Sequence, residues 1–211
     1  MLPSQDTSRS PDDEKILKYA SDLFRQLGIT RPEPDSVVWD DMVDPGLVIV
    51  RFGEVRLPRK MMGRLTAADW KPLLASAIIY GDVLSRDKNR GTLIRLVLPL
   101  GLGEIPLVFA LLQIFRLSRQ FDTSGVLLET ITIWIVYAFT LLALWIRWYW
   151  RSFTYNADRR AAKTIGKDVL LEALAKYRDM ISATGYQSKP VHLWPTLSQR
   201  IERLQKADRV S

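Results

Sequence analysis

Two long apolar runs separated by ten residues set the first constraint on this chain. Leu96–Phe115, LVLPLGLGEIPLVFALLQIF, holds a single charge, Glu104, and Val126–Ile146, VLLETITIWIVYAFTLLALWI, holds only Glu129. At about 1.5 Å of helical rise per residue, runs of this length cover roughly 30 Å, the hydrocarbon thickness of a bilayer. Both are too long and too evenly apolar for ordinary core helices. The sequence therefore predicts two transmembrane helices, over residues 94–116 and 125–147.

The linker RLSRQFDTSG is short enough to force an antiparallel hairpin, which puts everything before and after it on one side. Arg86, Lys88, Arg90 and Arg95 precede the first span, and Arg147, Arg151, Arg159, Arg160 and Lys163 follow the second, whereas the linker holds only Arg116 and Arg119. By the positive-inside bias, both termini are expected in the cytoplasm, with Trp145, Trp148, Tyr149 and Trp150 as an aromatic belt at the exit. This placement also accounts for the net charge of +7. The excess cations lie beside the spans, where anionic headgroups are met, so membrane lipids are the expected partner and nucleic acid is not.

Glu104 stands near the middle of the first span, where a carboxyl is costly and marks an ion or proton path in many membrane proteins. The other reading is a hydrogen bond across the hairpin to Tyr137, at a similar depth on the returning helix. Glu129 lies nearer the interface and can reach water.

The remaining segments read as a cytoplasmic part split around the hairpin. Residues 1–12 are polar and rich in Pro, Ser and Asp and are expected to be disordered; residues 13–91 and 150–211 form the two soluble portions, and 92–149 the hairpin. DDEKILKYASDLFRQLG has helical apolar spacing and stops at Gly28. Short strands are expected at Val37–Trp39, Leu47–Phe52 and Glu54–Leu57. Thr66 caps a helix over 67–85, with Asp69 completing a capping box. Beyond the second span, two helices divide at Gly166, and a basic amphipathic helix starts after Pro195. The fold class is thus mainly α with a small β element around a membrane hairpin.

Metal chemistry is restricted at once. The chain has no cysteine and one histidine, His192, so it cannot assemble the histidine and cysteine sets that hold zinc. No acidic loop with calcium-binding spacing occurs.

The order of the pieces nevertheless resembles the membrane zinc metallopeptidases typified by HtpX and the CAAX prenyl proteases. The family's first helix reads L-A-H-E-x-x-H; the aligned stretch here is Leu74-Ala75-Ser76-Ala77-Ile78-Ile79-Tyr80. Its third ligand is a glutamate in E-[FY]-x-A-D-x-x-A; here Thr154-Tyr155-Asn156-Ala157-Asp158-Arg159-Arg160-Ala161 keeps the scaffold residues and replaces the glutamate with Thr154. The closing H-P-x-x-x-x-R-I-x-x-L motif appears as Trp194-Pro195-Thr196-Leu197-Ser198-Gln199-Arg200-Ile201-Glu202-Arg203-Leu204, again without its histidine. The resemblance covers roughly Val37 to Leu204 and departs from the family in having no span before the first of these helices.

What the resemblance implies is a gluzincin-like helical frame whose catalytic positions, Ser76, Ala77, Tyr80 and Thr154, are degenerate. No metal or other cofactor is expected, because serine, tyrosine and threonine are poor neutral zinc ligands and alanine takes no proton. His192 reads as a loop histidine. Asp158 is expected near the start of its helix, favoured by the dipole there and accepting a hydrogen bond from Ser76 or Tyr80. Isoleucine and alanine are expected to fill the former cleft. The leading expectation is a catalytically inactive pseudoprotease that acts through a protein partner or a homo-oligomer. The alternatives are a membrane hydrolase with a rebuilt or partner-shared site, and an oligomeric ion-coupled protein using Glu104.

Overall fold

The structure, a computed structural model, describes residues 10–84, 101, 104, 107–113, 115–116, 124–185 and 194–206. The chain divides into two compact units, Met1–Ser85 with Arg151–Ser211, and Arg86–Trp150. The described residues form a mainly helical protein with one three-stranded sheet.

In the first unit, α1 (Pro11–Gln26) begins on a capping box: Ser10 and Asp13 satisfy each other's backbone N–H groups, and Pro11 occupies the first turn, where its missing N–H costs nothing. Residues 10–12, expected to be disordered, thus belong to this helix and its cap. Ile16, Ala20, Leu23 and Phe24 form its buried stripe. Asp13 also accepts a hydrogen bond from Trp39 Nε1 at 2.9 Å, which ties α1 to the sheet.

The sheet has the order β1 (Ser36–Asp40), β3 (Glu54–Pro58), β2 (Ile49–Arg51). β2 and β3 are an antiparallel hairpin in which Arg51 faces Glu54, and β1 lies parallel to β3 with Val37 beside Val55 and Trp39 beside Leu57. The hairpin corner is Phe52-Gly53, with φ of 55° and 80°, the left-handed pair that a two-residue turn requires. A phenylalanine there is strained as well as exposed; the Arg51 guanidinium lies 4.5 Å from its ring centre.

α2 (Ala67–Ile78) starts at Thr66, whose hydroxyl accepts from the Asp69 N–H while Asp69 accepts from the Thr66 N–H. Lys176 reaches the same Asp69 carboxylate at 2.6 Å, so the start of α2 is held by a later helix. Trp70, Leu73, Leu74, Ala75, Ser76 and Ile78 are buried. The helix does not run evenly to residue 85 as its periodicity predicts. From Ile79 to Val83 it widens into a π turn, closed by Leu84 N–H donating to Ile79 C=O at 3.0 Å. Gly81 allows the close pass this turn makes against β2, since a Cβ there would lie 3.4 Å from the Val50 carbonyl oxygen.

α3 (Ser124–Ile165) is one uninterrupted helix, where the sequence predicts a span followed by a separate helix. Nothing between Arg147 and Asn156 breaks a helix: there is no proline or glycine, and the local residues all tolerate helical dihedrals. The break comes at Gly166, where φ is 96° and the chain turns into α4 (Lys167–Ala183). The last helix, α5 (Leu197–Lys206), is capped by Thr196 and Gln199 and buries Leu197, Ile201 and Leu204.

In the second unit, Gly101, Glu104, 107–113 and 115–116 are helical; the rest of the first predicted span and all of the linker except Arg116, Ser124 and Gly125 lie outside the described residues. Among the described residues one helix, Leu128–Ile165, is long and apolar enough to cross a membrane, with a mean hydropathy of 1.7 over a window that is not buried anywhere within the chain. Two of its hydroxyls are satisfied locally: Thr132 donates to Leu128 C=O and Thr140 to Val136 C=O, both at 2.8 Å. Such back-bonding satisfies these two threonines without water. The expected Glu104–Tyr137 hydrogen bond is not formed. Both side chains are exposed, and neither makes a hydrogen bond or ion pair within the described residues.

Candidate functional site

Three side chains far apart in sequence meet inside the first unit. Ser76 comes from the last regular turn of α2, Asp158 from α3, and Arg200 from the first turn of α5. Ser76 Oγ donates to Asp158 Oδ1 at 2.6 Å. Arg200 grips the same carboxylate with two donors, Nε to Oδ2 at 2.8 Å and Nη2 to Oδ1 at 2.6 Å, and Nη2 also donates to Ser76 Oγ at 3.1 Å. Asp158 is 0% exposed and Ser76 4%. The Arg200 side chain is 11% exposed.

Each element is set up to bring its residue here. α2 is apolar on nearly every side and sits between α1 and α4, so its one buried hydroxyl needs an internal partner. On α3, Phe153, Thr154, Ala157, Asp158 and Ala161 are buried, a stripe at helical spacing in which the small alanines leave room for the Asp158 carboxyl. On α5, Leu197, Ile201 and Leu204 anchor the helix and so carry Arg200 inward.

The electrostatics favour a fixed ion pair. Burial works against the Arg200 cation, but the adjoining Asp158 carboxylate more than offsets this, and its pKa is raised. A planar guanidinium presenting two parallel donors fits a carboxylate in a way that an ammonium does not. Nearby, the Tyr177 ring meets Trp70 at 5.5 Å, and Trp70 in turn meets Trp39 at 5.9 Å. Burial pushes the Tyr177 phenol well above its ordinary range, against the opposing pull of Arg200.

A consequence for pH follows. The folded pKa of Tyr177 is raised, so its contribution to stability is fully present below the unfolded value of about 10 and is lost as the pH rises above it. Unfolding measured by denaturant between neutral pH and pH 11 is expected to show an alkaline loss of stability that is smaller in Tyr177→Phe. An identical loss in both proteins would assign the effect to other groups.

The arrangement corrects several expectations. Asp158 is not near the start of a helix: α3 begins at Ser124, so the N-terminal dipole contributes nothing and the carboxylate is held by Ser76 and Arg200 instead. The cleft is not filled by isoleucine and alanine alone, because this charged cluster occupies it. The Tyr80 ring packs on Trp194 at 4.8 Å, and the hydroxyl that meets Asp158 is that of Ser76. Thr154 is buried one turn before Asp158 on α3. Ala77 is half-buried, and His192 lies outside the described residues. Arg200 does not stand out in the sequence, where it is one residue of the closing motif. Its one distinguishing mark is a position in register with Leu197, Ile201 and Leu204 on the apolar side of a basic helix.

Chemically, the cluster orients a hydroxyl but offers no catalysis of the usual kind. A serine nucleophile needs a base free to take its proton and an open approach for substrate. Here the carboxylate is already engaged by a guanidinium, and the hydroxyl is buried. Among the described residues no group of three or more His, Cys, Asp or Glu side chains converges to hold a metal ion. A pocket of about 180 Å³ opens elsewhere in this unit, between Leu47, Arg178, Ile181, Trp194 and Leu197, and the three clustered residues do not line it. Comparisons with protein-family models, curated proteins and solved structures return no match.

Proposed function

We propose that the chain is a catalytically inactive, membrane-anchored homologue of the HtpX and CAAX zinc metallopeptidases that works by binding. In this reading two spans form a hairpin with both termini in the cytoplasm, and the cytoplasmic helices serve as a regulator, substrate-holding adaptor or accessory subunit for a protein partner. The observation that carries it is the Ser76–Asp158–Arg200 cluster. Ser76, at a degenerate ligand position of the resemblance, donates to Asp158, a matching scaffold position, at 2.6 Å. The cation between their helices is a guanidinium from α5. A fixed internal +1 charge supplies the neutralisation that a metal would, without an open coordination position or an activated water.

The rival hydrolase reading would use the Ser76 hydroxyl, but that group is buried and its carboxylate partner is already paired. The experiment combines three measurements on the full chain in mild detergent. Metal analysis is expected to find no stoichiometric zinc. Casein and a prenylated peptide are expected to remain uncut. Affinity capture followed by mass spectrometry is expected to return a specific membrane partner. Cleavage of either substrate that disappears in Ser76→Ala would replace this reading with the hydrolase.

A further inference from the structure

Two polar side chains of the second unit, Glu104 and Tyr137, point to an interface. Glu104 is the one charge in the first apolar run, and Tyr137 carries the one phenol in the second. Both are exposed, Tyr137 by 49%, and neither has a partner within its own chain among the described residues. A carboxyl left to lipid near mid-membrane is expensive, and such groups face another helix or a polar cavity. The position of Glu104 in the helix therefore asks for a donor from outside the chain.

We propose that the donor is Tyr137 of a second copy, in a two-fold symmetric dimer of the membrane hairpin. This rests on the two-span reading above. The depths agree: Glu104 lies eight residues in from Leu96 and Tyr137 nine residues before Ile146, so both stand about 12–14 Å from the same face of the bilayer. A two-fold axis along the membrane normal keeps equivalent residues at equal depth, and it makes every contact reciprocal. Glu104 of each copy then accepts from Tyr137 of the other, and both exposed polar groups are satisfied at once.

The rest of the surface fits a helix seam. Gly101, Glu104, Val108, Leu112 and Phe115 are all exposed and recur at spacings of three, four, four and three residues, which draws one stripe along a helix. Gly101 offers open space above its Cα for close approach. On α3 the less exposed stripe runs through Trp134, Ala138, Leu141 and Trp145, leaving Tyr137 and Val136 on the outward side. A hydrogen bond to an amide oxygen would serve as well as one to a carboxyl, so the interface depends on an acceptor at position 104 and a hydroxyl at 137.

The chain contains no cysteine, so single introduced cysteines carry probes cleanly. Full-length chain labelled at Ser182→Cys with donor or acceptor dye is reconstituted in phosphatidylcholine vesicles, and energy transfer is followed as lipid dilutes the protein. The wild type is expected to dimerise, Glu104→Leu and Tyr137→Phe each to weaken association about tenfold, the double variant to be no weaker than either alone, and Glu104→Gln to keep the dimer. A wild type that is monomeric at every dilution, or variants that associate like the wild type, would overturn the dimer. Impermeant maleimide labelling of Ser4→Cys, Ser118→Cys and Ser182→Cys separates the two readings. Labelling of positions 4 and 182 from one side and 118 from the other keeps the hairpin, so that absent energy transfer removes the dimer alone; any other pattern removes the hairpin and the dimer with it.

Discussion

Arg200→Met is expected to lower the stability of the unit containing the cluster by about 3–5 kcal/mol, the cost typical of leaving a buried charge without its partner. Asp158 is 0% exposed and receives three hydrogen bonds, two of them from this one guanidinium. Methionine preserves the stem of the side chain and its packing beside Ile201 but leaves Asp158 with a single donor, Ser76 Oγ. The carboxyl must then take up a proton or let water in. Arg200→Lys is expected to recover only part of the loss, because a single ammonium cannot hold both oxygens in the plane of the carboxylate.

The converse is just as informative. A buried ion pair contributes little net stability over apolar residues of similar size, because the desolvation of both charges nearly cancels their attraction. Asp158→Leu combined with Arg200→Met, with Ser76→Ala removing the hydroxyl left over, is therefore expected to come within about 1–2 kcal/mol of wild type or to exceed it. Denaturant unfolding of the single, double and triple variants gives the coupling energy directly. Equal losses in Arg200→Met and in the triple variant would show that the cluster does not act as a unit.

These residues also mark how far the sequence could be read. The capping box at Thr66, the strands around Val55, the stop at Gly166 and the amphipathic α5 were legible because each rests on contacts within a few residues of itself. The π turn was not legible: it follows from the close pass of Gly81 against the Val50 carbonyl, which lies thirty-one residues away in sequence. The continuity of α3 is not legible in the sequence, because composition changes from apolar to basic along it just as it would at a change of element. For a helix, solvent can change along its length without any change in backbone. The Ser76–Asp158 contact was anticipated as one of two options, since it needed only the pairing of two motifs. Arg200 was passed over because nothing local separates an arginine that turns inward from the many that solvate a basic helix; only its partners, 42 and 124 residues away, decide that.

Restoring metal donors is expected to succeed only when Arg200 is removed. The variant Ser76→His, Tyr80→His, Thr154→Glu would place the donor types of a zinc site on α2 and α3, and Asp158 could then orient the new imidazole at position 76 as the serine hydroxyl is oriented now. With Arg200 in place, however, a divalent ion would sit about 4 Å from a guanidinium. At an effective dielectric near 20 this repulsion is about 8 kcal/mol, roughly six orders of magnitude in affinity and a large share of the ~10–16 kcal/mol that a structural zinc site provides. The same three substitutions with Arg200→Leu relieve the repulsion and leave Asp158 free to serve the histidine. Metal analysis after zinc loading and gel filtration is expected to give about one zinc per chain in the four-fold variant and none in the three-fold variant, with a matching rise in thermal stability on zinc addition only in the former. Equal uptake in both would mean that Arg200 does not occupy the cation position. Uptake in neither, by a protein whose circular dichroism stays helical, would mean that the positions on α2 and α3 do not frame a metal cleft, and the proposed kinship with metallopeptidases would fall with it.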